Sequence, residues 1–190
     1  MSDLANEFKT DYKIQMPLSG VAMSSFERNG TKFAYLDYDV KKGLKWNMKF
    51  YWDKEKAKPF FDVDETKNAW LSDSGYEIKD AASGQVLGAW VPKKRLLRWF
   101  LRQTYTFVVN GKVVARSPGD SCFKIFIPSS IRAWFARKVV TADGKPIAKI
   151  RCMSTLGCGT VSVKTLGGTI EDEKLAKVTA VLAAICGLQD

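Results

Sequence analysis

The sequence predicts a mainly β fold: a closed or nearly closed antiparallel barrel of about 10–12 strands around a hydrophobic C-terminal helix. Three observations predict it. The final stretch, Glu171 to Asp190, reads EDEKLAKVTAVLAAICGLQD and is apolar on every side after Lys177. A helix without a polar face has nothing to offer water, so it must be enclosed. From Thr31 the apolar period becomes two, and from Tyr76 the chain repeats a unit of short strand, polar–Gly turn and short strand.

The helix is expected over about residues 170–188, with Thr169 as N-cap and Asp172 three residues on. Glu171, Asp172 and Glu173 suit the positive end of its dipole. Its apolar part, about 14 residues, falls short of the roughly 20 that cross a bilayer core. An enclosed core helix is therefore favoured over a partner-binding helix or a membrane anchor.

Residues 1–30 are weakly patterned, with turn residues at Pro17, Ser19–Gly20 and Asn29–Gly30, and read as an N-terminal segment, free or packed on the barrel, ahead of the barrel domain of 31–190. Next come Phe33, Tyr35, Asp37 and Asp39 on one parity. Leu44, Trp46, Met48, Phe50 and Trp52 then alternate with Lys45, Asn47 and Lys49, the mark of half-buried strands. A charged turn, DKEKAKP, precedes a short strand at 59–63. Three hairpins follow, YEIKDAASGQVLGAW, TYTFVVNGKVVARS and RKVVTADGKPIAKI, turning at Ser83–Gly84, Asn110–Gly111 and Asp143–Gly144. Such dipeptides supply the positive φ angles of tight turns. Further strands are read at 122–128 and 159–166.

Antiparallel strands hide their edges by closing into a barrel. About eight strands make a barrel that wall side chains fill, so a larger one needs an occupant. A helix of about 16 residues, roughly 24 Å long, has the length and polarity to fill it.

At 190 residues with 46% hydrophobic content the chain supports one ordered domain. Its N-terminus carries acids where a secretory leader carries bases, and its four cysteines, Cys122, Cys152, Cys158 and Cys186, show no CxxC pair. Reduced thiols and a cytoplasmic setting are the expectation. The formal charge of +10 is uneven: residues 81–151 hold 14 Lys/Arg against 2 Asp/Glu, whereas 1–80 hold 13 against 14. That excess points to an anionic partner.

The repeated hairpins YEIKDAASGQVLG, FVVNGKVVA and VVTADGKPIAKI, followed by KLAKVTAVLAAICGLQD, resemble the tubby C-terminal-like superfamily over about residues 32–190, nearest to its phospholipid scramblase and LURP-one-related branch. That resemblance implies a roughly twelve-stranded barrel around a central helix, and binding of phosphoinositides or membranes. The cysteine-rich cluster and Pro-rich tail of scramblases have no counterpart in this sequence, so scrambling activity is not carried over. The EDE run is read as a helix-dipole partner rather than a calcium loop.

Two segments are candidate contacts for an anionic ligand. In PKKRLLRWFLRQ (92–103), Lys94, Arg98 and Arg102 share one stripe if the segment is helical, joined by Lys93 and Arg95; as a strand, its arginines are simply solvated. SSIRAWFARK (129–138) places Arg132, Arg137 and Lys138 around Trp134 and Phe135. Cations beside aromatics suit an anionic membrane surface, where each contributes about 1 kcal/mol.

Catalysis has little to build on: no histidine, nucleophile elbow or P-loop is present. Asp37 with Asp39, and Asp62 with Asp64, offer a cation or acid–base site, against the commoner reading of solvated strand faces. The leading expectation is a non-catalytic protein, without cofactor or metal, that binds anionic lipid headgroups peripherally at a membrane. A nucleic-acid binder using the same segments, with Trp99 or Trp134 stacking on bases, and a scaffold for an acidic protein are the alternatives.

Overall fold

The structure, a computed structural model, describes residues 6–17, 23–41, 45–66, 75–92, 104–119, 136–155 and 158–189. Twelve antiparallel strands, each paired to the next in sequence, close when the first pairs with the last. They are β1 (Tyr12–Pro17), β2 (Ser24–Arg28), β3 (Thr31–Lys41), β4 (Lys45–Tyr51), β5 (Pro59–Thr66) and β6 (Gly75–Asp80). β7 (Val86–Pro92), β8 (Tyr105–Val109), β9 (Lys112–Ser117), β10 (Arg137–Thr141), β11 (Pro146–Thr155) and β12 (Cys158–Thr165) complete the wall. The seam sets Tyr12 opposite Val163 and Ile14 opposite Val161, so closure buries apolar side chains where an edge would otherwise lie open.

Helix α1 (Glu173–Gln189) fills the barrel. From Val178 to Cys186 every residue is buried, whichever way it faces. The one polar residue among them, Thr179, donates its hydroxyl to the Leu175 carbonyl at 2.7 Å, which satisfies it within the helix. Each buried Val, Leu or Ile side chain here is worth about 1.5–3 kcal/mol. The N-cap is Asp172, whose carboxylate accepts from the Leu175 amide at 3.1 Å. The expected cap, Thr169, lies three residues too early because Leu166–Gly168 first turn the chain inward from β12.

The N-terminal boundary moves. Residues expected outside the barrel supply β1 and β2, and β1 is the strand that closes it. Both are short, yet Tyr12, Ile14 and Met16 alternate inward against Lys13 and Gln15. A 3₁₀ turn, Glu7–Lys9, then presents Phe8 as a plug. Its ring centre lies 5.1–5.9 Å from those of Tyr12, Phe26, Phe33, Trp52 and Phe60. Arg28 fixes the turn by pairing with Glu7 at 2.5 Å and donating to Thr10 at 2.6 Å.

All three expected hairpins form, as β6–β7, β8–β9 and β10–β11. Asn110 (φ 50°) and Gly111 (φ 76°) both adopt the left-handed conformation that a two-residue turn requires. β5 extends to Thr66, beyond the expected 63, and β12 matches the run read at 159–166. In β3 Phe33, Ala34 and Leu36 are buried, a register shift against β2 bringing Phe33 in beside Ala34, while Tyr35 shares the outer parity with Asp37. The strand read at 122–128 lies outside the described residues.

Antiparallel order divides the connections between two rims. The Phe8 plug, the tight hairpin turns and the start of α1 lie at one. At the other, the far rim, β7 ends at Pro92, β8 begins at Tyr105, β9 ends at Ser117 and β10 begins at Arg137. There α1 passes close to the wall: a Cβ on Gly187 would collide with Met16 Sδ and stand 2.6 Å from Val161 Cγ2. No helix among the described residues is long and apolar enough to cross a membrane.

Candidate anion-binding surfaces

Burial of the apolar helix leaves the charged side chains on the outer wall and at the rims, and their distribution is uneven. The outer face of β3–β6 is acid–base balanced. Asp64 accepts from Asn47 Nδ2 at 2.7 Å and from Lys79 Nζ at 3.2 Å, and Lys79 also meets Glu77 at 3.1 Å. Asp37 holds Lys56 at 2.5 Å. Hydrogen bonds to these carboxylates raise the pKa of both lysines. Asp37 and Asp64, two of the four acids considered for cation or acid–base chemistry, thus already face protein cations. Among the described residues no group of three or more His, Cys, Asp or Glu is placed to hold a metal.

Strands β8–β12 contain no acidic residue at all. Their outward positions expose Arg116, Lys138, Lys149, Arg151 and Lys164, and β1 adds Lys13. Register places Lys138 directly opposite Lys149, and Lys149 directly opposite Lys164. Like charges set opposite each other across strands destabilise a sheet. Among the described residues none of these three lysines forms an ion pair to relieve that repulsion.

Of the sequence-predicted site residues, Lys93, Lys94, Arg95, Arg98, Arg102 and Arg132 lie outside the described residues. Arg137 and Lys138 are described, and they diverge. Lys138 is exposed, whereas Arg137 points inward with Val139 and is 7% exposed, its guanidinium 5.4 Å from the centre of the Tyr105 ring. Arg137 therefore leaves the outward set expected for it, because neighbouring residues of a strand face opposite sides. Its place suits a cation: α1 ends at the same rim, and the negative end of a helix dipole favours positive charge.

Lys149, Arg151, Lys164 and Lys13 were not among the sequence candidates. The alternation in KPIAKIRC and in VSVKT marks the outward parity of three of them. Their alignment, however, depends on which strands pair. Comparison with protein-family models, characterised proteins and solved structures gives no match.

Proposed function

We propose that the protein is a non-catalytic binding protein that engages anionic membrane lipid headgroups, of the phosphoinositide kind, through the far rim of its barrel. One observation carries this reading. The connections containing the two basic, aromatic segments, β7 to β8 and β9 to β10, both leave and rejoin the wall at that rim. Besides the candidate cations, the connections there carry Lys42, Lys67 and Lys124, with Asp73 and Asp120 as their only acids. Connections that start and end at one rim and carry in their sequence many cations together with Trp99, Phe100, Trp134 and Phe135 suit a flat anionic surface. The tubby-like pattern of twelve strands around an apolar helix supports the same reading.

Sedimentation with vesicles tests it. Vesicles containing phosphoinositides are expected to carry the protein down and neutral vesicles to leave it in solution, with Arg98→Glu plus Arg102→Glu releasing it. Equal sedimentation of the double variant and the parent would remove the segment from the site.

A further inference from the structure

Lys138, Lys149 and Lys164 form a line that climbs the wall. Lys138 is the second residue of β10, at the far rim, and Lys164 is the penultimate residue of β12, near the plugged rim. Lys149 stands between them on β11. Arg151 flanks the line on the far-rim side, and Arg116, opposite Val140, lies beyond Lys138 on the side of the plugged rim. At its upper end the line runs into a groove of about 360 Å³ between β1, β2 and β12, lined by Lys13, Ser162, Lys164 and Asn29–Gly30. The acids that border this groove already hold partners: Asp11 accepts the Thr165 amide and hydroxyl at 2.8 and 2.9 Å, and Glu27 accepts the Ser25 hydroxyl at 3.2 Å.

We propose that this line is a docking track for a flexible phosphate-bearing chain, single-stranded nucleic acid, bound through its backbone. Three features select that partner. Along β10–β12 the track is cationic and faces no acid, Asp11 and Glu27 meeting it only at the groove. It is curved, because a closed wall of twelve strands turns by about 30° per strand. The stems of Lys138, Lys149, Lys164 and Lys13 thus fan through about 90°, which a flexible chain can follow and a bilayer plane cannot. Hydroxyl and amide side chains, Thr160, Ser162 and Gln15, lie alongside on the outer face of β12 and β1. Such groups and lysines contact phosphate and sugar without reading bases, so the binding is sequence-independent.

The track also explains a local cost. Lys149 is placed between two like charges, an arrangement that folding alone disfavours. A bound polyanion reverses the sign of that term. This inference stands apart from the lipid reading, since Lys149 and Lys164 lie on the wall and not in the rim connections.

The test is fluorescence anisotropy of a labelled oligothymidylate of about 12 nucleotides with the full chain, at salt between about 50 and 200 mM. The unmodified protein is expected to bind at low salt and to weaken steeply as salt rises. Lys149→Glu plus Lys164→Glu is expected to weaken binding at least about tenfold and to flatten the salt dependence by about 0.7 in log–log slope for each phosphate no longer neutralised. Phosphoinositide vesicles should sediment parent and double variant alike. Lys149→Gln, which removes one charge without reversing it, is expected to unfold at a temperature no lower than the parent and to bind the oligonucleotide less well. The proposal is overturned if the parent fails to bind at low salt, or if both variants bind as the parent does. It is equally overturned if the double variant loses vesicle sedimentation while keeping the oligonucleotide, which would make the wall a membrane surface.

Discussion

The indole Nε1 of Trp90, on β7, donates a hydrogen bond to the backbone carbonyl of Val178, on α1, at 2.8 Å. Both residues are fully buried, and 88 positions of sequence separate them. This bond ties wall to occupant near the start of the buried run. Trp90→Phe keeps an aromatic ring but loses the donor and some volume. It is expected to cost about 1–3 kcal/mol in denaturant-induced unfolding. A change within about 0.5 kcal/mol would show that the bond contributes nothing net.

Enclosure makes the helix intolerant of charge. Val181→Asp or Ile185→Asp would place an unpaired carboxylate where no water reaches, and both are expected to prevent soluble folding. Ile185→Ala, which leaves a cavity instead, should fold with a loss of about 2–5 kcal/mol. Soluble, cooperatively unfolding Asp variants would show that this part of the helix reaches water.

The hydroxyl of Tyr12 is buried with no hydrogen-bond partner among the described residues. Burial also pushes the phenol's pKa far above its ordinary value. The unfolded phenol ionises near pH 10, so the folded protein holds a proton that the unfolded chain releases above that pH. Its contribution is therefore intact below about pH 10 and declines at higher pH, by up to about 1.4 kcal/mol per pH unit. Tyr12→Phe is expected to remove this part of the alkaline loss and to stabilise the protein at pH 7 by about 1 kcal/mol. Parallel alkaline titration of stability in parent and variant, with equal slopes, would count against it.

Gly88 occupies a bulge in β7 at φ 148°, where a Cβ would stand 2.7 Å from both the Val108 carbonyl oxygen and the Phe107 ring. Neither backbone nor packed ring can yield cheaply. Gly88→Ala is expected to cost about 1–3 kcal/mol or more, read as a lowered denaturant midpoint. By contrast, an Ala at Gly30 meets nothing within 4 Å, so its cost comes from the backbone angle alone.

The barrel and its helix were legible because each rests on a local signal. Asn110–Gly111 and Asp143–Gly144 fix hairpins within a few residues, and the run from Val178 to Cys186 leaves no polar side for a helix to expose. β1 and β2 were hidden for a complementary reason: each is short, and the worth of β1 lies in pairing across the closure, Tyr12 with Val163, which no local pattern records. The charged surface divides in the same way. That residues 81–151 are basic is a matter of composition. That Arg137 turns inward over Tyr105 while Lys138 joins Lys149 and Lys164 depends on strand parity and cross-strand register, and Lys164 lies beyond the basic segment altogether.

Native-state hydrogen exchange of the α1 amides tests the central claim most directly, that the apolar helix is locked inside a closed wall. The amides of Val181 to Ile185 are expected to exchange only through global unfolding, with opening free energies equal to the stability from denaturant unfolding, about 5–15 kcal/mol. Exchange of these amides at free energies about 2 kcal/mol or more below that stability would mean that the helix comes free while the barrel stays folded, and would contradict the account.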